Sequence, residues 1–345
     1  MFVENNRKEI DRIDDEILQL IIQRNLLSDD IIRCKLDNGL DVLDKEREYL
    51  LINSLIDKFK DKINQDEIKK VYSSILYYSK LKYYQEIEKT NQETIEKSKL
   101  PFIIAGPCSV ESEEQIFSIA KDLSQLNIKY LRGGAFKPRT SPNDFQGLGS
   151  IGVQYLRDAA KYYNMNMVTE VMSSQQLLQH YNDIDIIQIG SKNMFSYQLL
   201  KDIAEINQKN KKPIILKRNF NATIKEFIYA AEYILKEGQE VLLCLRGIRT
   251  FEQIDSNLRF TPDLASIREL KNITKLKVIF DPSHSTGNAD YVEDISKAAL
   301  QLGADGLMIE THFNPQESIV DAKQTINYKT LNHIITFLDE IKYAQ

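Results

Sequence analysis

The sequence predicts an α/β fold: a (β/α)8 barrel of the TIM type, preceded by an all-α segment of three helices. Three observations carry this prediction. All 8 prolines lie at or beyond Pro101, and of 13 glycines only Gly39 precedes Gly106. Long helices avoid both residue types, whereas strand–helix turns use them. In the first segment, apolar residues recur at Ile10, Ile13, Ile17, Leu20, Leu27 and Ile31, in alternating steps of three and four that mark one helix face. Beyond residue 100, eight short apolar runs alternate with helical stretches, the rhythm of a closed parallel barrel.

Each element follows from local residues. One position of the first helix's apolar series is occupied by Arg24. Two further helices are expected over Asp44–Lys60 and Asp66–Glu88, with Asp44 as an N-cap. Three helices of this length make a small core, which favours self-association. Lys89 to Lys99 carries one apolar residue, Ile95, and reads as a linker. The predicted domains are therefore 1–88 (helical), 89–100 (linker) and 101–345 (barrel). Strands are expected at Phe102–Ala105, Ile128–Leu131, Met167–Val171, Ile186–Ile189, Ile214–Leu216, Val241–Leu245, Lys277–Phe280 and Gly306–Ile309. Helices among them include Glu113–Leu126, Phe195–Asn207, Ile224–Lys236 and Val292–Leu302. An open doubly wound sheet is the alternative, but no GxGxxG follows the first strand.

Composition narrows the function. With 42% hydrophobic and 28% charged residues, the 345-residue chain is globular rather than disordered. A net charge of −5 gives no general attraction to nucleic acid or anionic membranes, so neither is expected as a partner. No apolar run approaches the ~18 residues of a membrane span. The first residues, Met1 to Arg7, hold no signal-peptide core, and three cysteines make no disulfide framework. A cytoplasmic location is expected.

Catalytic groups of a barrel sit at the C-terminal ends of its strands. Those ends carry Cys108, Arg132, Lys137, Arg139, Glu170, Lys192, Lys217, Arg246, His284 and Glu310. Six cations on the rim of a net acidic protein would repel one another unless anions fill the mouth, and guanidinium and ammonium groups suit phosphate and carboxylate. Salt bridges to helix carboxylates are the plainer reading. Cys108, His284, Glu310 and Asp321 form a second subset. Mixed sulfur, nitrogen and oxygen donors suit a divalent first-row metal such as Mn, Fe, Co or Zn. Read alone, Cys108 is equally a small buried hydrophobe, the reading preferred for Cys34 and Cys244. His180 and His333 fall on helices without an evident role.

Several of these residues lie in longer motifs. Gly106-Pro107-Cys108-Ser109-Val110-Glu111-Ser112 and Arg132-Gly133-Gly134-Ala135-Phe136-Lys137-Pro138-Arg139-Thr140-Ser141-Pro142, continuing through Phe145-Gln146-Gly147-Leu148-Gly149, come first. Thr169-Glu170-Val171-Met172, Gln188-Ile189-Gly190 and Leu216-Lys217-Arg218 follow in order. Arg246-Gly247-Ile248-Arg249-Thr250-Phe251-Glu252, Asp281-Pro282-Ser283-His284-Ser285-Thr286-Gly287 and the Gly303–Glu310 run with Asp321 complete the series. Together they resemble 3-deoxy-D-arabino-heptulosonate 7-phosphate (DAHP) synthases of the type Iβ subfamily.

The resemblance implies condensation of phosphoenolpyruvate with erythrose 4-phosphate, the first step toward chorismate. It implies metal ligation by Cys108, His284, Glu310 and Asp321. Phosphoenolpyruvate would be held by Arg132, Lys137, Lys192, Lys217 and Arg246, and the phosphate of the second substrate by Arg139 and Thr140. Glu170 would position the attacking water and Lys137 would donate a proton. Lys192 stands where the family usually has Arg, and Leu245 where the subfamily usually has Glu. The related 3-deoxy-D-manno-octulosonate 8-phosphate synthases carry an Ala-Asn-Arg-Ser type segment in place of Lys137–Ser141. A Schiff-base aldolase using Lys217 is a further alternative.

In the helical segment, Arg24 at an apolar position is costly unless paired. Lys35, eleven residues on, shares its face within about 20°, whereas Arg7 lies about 100° away around the helix. Arg7, Arg24, Lys35, Asp44, Arg47 and Glu48 resemble, in order and spacing, the motif of AroQ-class chorismate mutases, which are intertwined helical dimers. The resemblance implies a chorismate site completed by Ser79 and Tyr83, with Arg7 from the partner chain and Lys35 donating to the breaking ether bond. Tyr83 stands where the family usually has Gln or Glu. The rearrangement needs orientation and electrostatic stabilisation rather than a nucleophile. The expected protein is a homo-oligomer, a dimer through the mutase helices or a tetramer. In the competing reading the helices sense chorismate or prephenate without turnover.

Overall fold

The structure, a computed structural model, describes residues 2–38, 44–90, 101–139, 141–251 and 258–344, apart from the side chains at 2, 36, 37, 45, 77, 78, 80–90 and 342–344. The chain forms two compact units, Met1–Gln92 and Glu93–Gln345.

The first unit holds α1 (Phe2–Asp37), α2 (Lys45–Phe59) and α3 (Gln65–Thr90). Asp44 caps α2 by accepting from the Arg47 N–H. Both α1 and α2 pack on α3. The face of α1 that is at least partly covered runs through Ile21, Arg24, Asn25, Ser28, Ile32 and Lys35. The apolar series read from the sequence lies elsewhere. Ile10, Ile13, Ile17, Leu20, Leu27 and Ile31 are between 42% and 66% exposed. Cys34 departs from its expected burial: it is exposed, because it too lies off the covered face.

The second unit is a closed, all-parallel barrel in sequential order. Its strands are β1 (Phe102–Gly106), β2 (Tyr130–Arg132), β3 (Asn166–Val171), β4 (Ile186–Ile189), β5 (Ile214–Lys217), β6 (Val241–Leu245), β7 (Lys277–Phe280) and β8 (Gly306–Glu310). β8 closes on β1, with Phe102 opposite Gly306 and Gly106 opposite Glu310. The surrounding helices are α4 (Glu113–Gln125), α5 (Ser150–Tyr162), α6 (Ser174–His180), α7 (Tyr197–Ile206), α8 (Ile224–Leu235), α9 (Ala265–Ile273), α10 (Pro282–Thr286), α11 (Val292–Gln301) and α12 (Tyr328–Ala344). No described helix is long and apolar enough to cross a membrane.

β2 begins two residues later than expected. Ile128 donates its N–H to the Leu123 carbonyl after a left-handed Asn127, so it closes α4 instead of entering the sheet. Two cores result from the alternation of side chains along each strand. Phe102, Ile104, Tyr130, Val168, Ile186, Ile215, Leu242, Cys244, Ile279 and Met308 fill the barrel interior. The intervening residues, such as Ile103, Leu131, Met167 and Leu216, pack outward in the larger core that includes the helices. Cys244 thus behaves as the small buried hydrophobe expected of it, and its apolar surroundings push its thiol pKa up to about 12.

Candidate active site and metal centre

Two residues beyond the interior apolar layer, each strand points its next inward side chain into the barrel mouth. Tyr130 is followed by Arg132, Val168 by Glu170, Ile186 by Gln188 and Ile215 by Lys217. Cys244 is likewise followed by Arg246, Ile279 by Asp281 and Met308 by Glu310. The candidate site is therefore a polar layer stacked directly on the barrel core. At β1 the corresponding residue is Gly106, where a Cβ would meet the Arg132 carbonyl oxygen at 2.0 Å. Only glycine admits that approach.

Cys108, His284, Glu310 and Asp321 each present one donor atom, and these atoms lie within 4.8 Å of one another. Cys108 Sγ is 3.1 Å from Asp321 Oδ2, and His284 Nε2 is 3.4 Å from Glu310 Oε1. The other ring nitrogen of His284 is held 2.8 Å from Asp281, which also accepts the His284 backbone N–H. That leaves Nε2 aimed at the cluster, the carboxylate–histidine arrangement that orients metal-binding imidazoles. Glu310 is likewise fixed, by Arg132 at 2.7 Å and by Gln324 at 2.5 Å. Sulfur, imidazole nitrogen and two carboxylates, with His284 and Glu310 each held by a buried partner, fit a divalent first-row metal.

The cations converge beside this cluster. Lys137 Nζ lies 3.0 Å from both the carbonyl and the sulfur of Cys108. Lys217 pairs with Asp281, and Arg246 donates to Ser191 and to the His284 carbonyl. Arg132, Lys137, Lys217 and Arg246 are all at least nine-tenths buried, facing two fully buried carboxylates, Asp281 and Glu310. Burial opposes ionisation of both acids, yet His284 and Lys217 beside Asp281, and His284, Arg132 and Lys137 beside Glu310, hold them below the usual carboxylate range. Burial lowers the His284 pKa and, with Glu310 nearby, raises that of the Cys108 thiol. Arg132 Nε, Arg246 Nε, Glu170 Oε1 and Ser285 Oγ are buried without a partner among the described residues. Orphaned donors in a site rich in cations are the signature of a place built for an anion.

Other predicted residues sit at the edge. Lys192 is exposed and donates to the Pro138 carbonyl at 2.6 Å, apart from the buried cations. Arg139 is half-buried against Asp144, and Thr140 lies outside the described residues. Glu170 accepts from Gln188 at 3.2 Å. Its carboxylate rests on Gly190, where a Cβ would fall 1.9 Å from Oε1.

In the helical unit, Arg24 donates to Ser79, which in turn donates to Asn25. Lys35 lies 4.0 Å from Asp44. Arg47 is exposed, and Glu48 is partly buried on α2. Arg7 is exposed on α1 and stands apart: 17 residues of helix separate it from Arg24, about 26 Å along the axis. The Tyr83 side chain lies outside the described residues.

The "DAHP synthetase I family" profile matches residues 85–344, and "chorismate mutase type II" matches residues 6–83. The chain belongs to the DAHP synthetase I family. A phospho-2-dehydro-3-deoxyheptonate aldolase of Thermotoga maritima is 43% identical over 243 residues, 70% of each chain. A crystal structure of that organism's DAHP synthase aligns with a TM-score of 0.66 at 42% identity, covering 70% of this chain and 69% of the other. A 2-dehydro-3-deoxyphosphooctonate aldolase of Francisella tularensis is 26% identical over 261 residues, 70% of this chain and 91% of the other.

Within the synthase barrel, sequence reasoning passed over Asp281, Gln188 and Gln324. Asp281 and Gln188 were detectable, since each lies two residues beyond an inward apolar position on its strand. Gln324 was not, because it reaches Glu310 from a loop whose path no local pattern specifies.

Proposed function

We propose that the protein is bifunctional, condensing phosphoenolpyruvate with erythrose 4-phosphate and water to DAHP plus phosphate, and rearranging chorismate to prephenate. The observation that carries the first activity is the excess of buried cations over buried carboxylates beside a four-donor cluster. A phosphate and a carboxylate would offset that charge. The Lys137-Pro138-Arg139-Thr140-Ser141 segment favours the heptulosonate over the octulosonate reaction.

A divalent ion held by Cys108, His284, Glu310 and Asp321, whether Mn, Fe, Co or Zn, would supply Lewis acidity toward the aldehyde oxygen. Arg132, Lys137, Lys217 and Arg246 bind the phosphate and carboxylate of phosphoenolpyruvate, with Lys192 adding charge from the rim. Arg139 and Thr140 take the phosphate of the second substrate. Carbon 3 of phosphoenolpyruvate then bonds to the aldehyde carbon, and the aldehyde oxygen takes a proton from Lys137. Water positioned by Glu170 adds to carbon 2, giving its proton to that carboxylate, and phosphate leaves. Holding two anions in register supplies the orientation such a bimolecular step requires. EDTA should abolish DAHP formation, and Co²⁺ or Mn²⁺ should restore it. Activity indifferent to EDTA but lost to borohydride plus substrate would instead support a Schiff base on Lys217.

The mutase reading rests on the paired Arg24 and Ser79, with Lys35 further along α1 and Asp44 at the start of α2. Arg24 and Lys35 would bind a dicarboxylate and its ether oxygen, with Asp44, Arg47, Glu48 and Tyr83 lining the remainder. The distance to Arg7 and the exposed apolar series on α1 support a second copy of the chain as its supplier. The assembly is thus a homodimer through α1, or a tetramer built from two such dimers. Three free thiols suit the reducing cytoplasm.

A further inference from the structure

Three of the four candidate metal ligands are placed by regular elements. Cys108 follows β1 by two residues, His284 lies in α10 and Glu310 ends β8. Asp321 differs: it belongs to the connection between β8 and α12 and adopts a left-handed backbone, φ 57° and ψ 32°. Asp is one of the few residues with a Cβ that visit this conformation, which is less populated than the right-handed one.

One side chain from the opposite loop holds the chain just ahead of Asp321. Glu111 Oε1 accepts the Ile319 N–H at 2.9 Å and lies 3.4 Å from the Ser318 hydroxyl, which donates at 2.9 Å to the Val320 carbonyl. The same oxygen accepts the Ser109 hydroxyl at 3.3 Å, next to Cys108. Glu111 is itself anchored through its backbone N–H, which donates to Gln115 Oε1 at 3.0 Å, and the Gln115 amide donates to the Ser109 carbonyl at 3.4 Å. A single carboxylate oxygen thus ties the loop carrying the sulfur ligand to the loop carrying the last oxygen ligand. None of the chemistry proposed above uses Glu111.

We infer that Glu111 is a positioning residue for the metal centre: it holds the 318–321 loop so that Asp321 faces Cys108, and so sets the affinity for the divalent ion. The inference rests on the metal reading of the four-donor cluster. Partners outside the ligand set typically change metal affinity 10- to 100-fold when lost, and the partly exposed position of Glu111 points to the lower end.

Cobalt(II) titration of the full-length, metal-free protein, followed by calorimetry and by the thiolate-to-cobalt absorption band, tests this without any substrate. Glu111→Ala should weaken cobalt binding about tenfold while the band survives at saturation, because Cys108 remains a ligand. Glu111→Gln, which keeps an acceptor oxygen in place, should bind nearly as the parent does. Glu111→Asp, withdrawn by one methylene, should fall between and guards against a folding defect in the alanine variant. Unchanged affinity in both Glu111→Ala and Glu111→Asp would overturn the inference. Tight binding that survives Cys108→Ala would overturn the metal reading itself, and the inference with it. Loss of binding in Cys108→Ala with parental affinity in the Glu111 variants would overturn the clamp alone.

Discussion

Under the proposed function, the barrel and the helical segment face the same problem, holding an anionic substrate, and meet it to different degrees within one chain. The barrel closes its own sheet, covers its own core and brings four cations and four candidate metal donors to one mouth. The helical unit leaves the apolar series of α1 exposed and one of its expected arginines about 26 Å from the next. A barrel site is complete once eight strands are in register, because the period-two alternation delivers each inward residue to the same layer. A site built on a single long helix spreads its residues over the helix length, and completing it takes a second helix from elsewhere. The difference teaches that exposed hydrophobic surface and a dispersed site are one observation, with one remedy.

The largest expected effect separates the two units. Cys108→Ala should depress DAHP formation by more than the roughly 100-fold typical of changes outside the ligand set, while chorismate turnover persists. Parallel assays on one preparation check this, and loss of both activities would contradict the assignment of the two reactions to separate units.

Next is a complementation experiment. Arg7→Ala and Arg24→Ala should each lower mutase activity by about 10²–10³, the usual loss when a positioned charge donor is removed. Mixing the two variants and allowing exchange should restore up to a quarter of parental activity, because a random mixture forms half heterodimers, each with one intact site. No recovery despite demonstrated exchange would place Arg7 outside the site.

These expectations bear on how much the sequence disclosed. Seven of the barrel strands begin within a residue of where their apolar runs begin, because buried parallel strands are continuous apolar segments with few other interpretations. Most of the cations and candidate metal donors were legible because they fall within a few residues of such a run; Asp321, in the connection between β8 and α12, does not. The supporting contacts were not: Lys217 meets Asp281 across 64 residues, and Glu111 meets Ile319 across 208. Heptad spacing on α1 predicts a helix and an apolar face but not that this face stays exposed among the described residues, since periodicity identifies a face and not what covers it.

A smaller effect sharpens the barrel side. Gly190→Ala would drive a methyl into the Glu170 carboxylate, and overpacking of this kind costs about 1–3 kcal/mol. We expect a roughly 10- to 100-fold fall in DAHP formation, with part of the activity regained in the Gly190→Ala/Glu170→Asp double variant. Parental activity in Gly190→Ala would show that Glu170 needs no such seat.

The smallest effect is purely structural. Thr223 and Glu226 form a capping box at the start of α8, and Thr223→Ala should cost about 1 kcal/mol in urea unfolding. The Thr223 backbone N–H and hydroxyl hold the Glu226 carboxyl below its ordinary value. Its contribution is therefore complete above the ordinary carboxylate range and is lost as pH falls through the lowered value. The variant should show a shallower acid limb, and an unchanged pH profile would contradict the box.

The most direct test of the central claim, two activities in one chain, follows the loss of chorismate absorbance with purified full-length protein while DAHP formation is measured in the same preparation. The account predicts both. If DAHP forms while chorismate persists, the helical unit binds its ligand without turning it over, and the bifunctional reading is wrong.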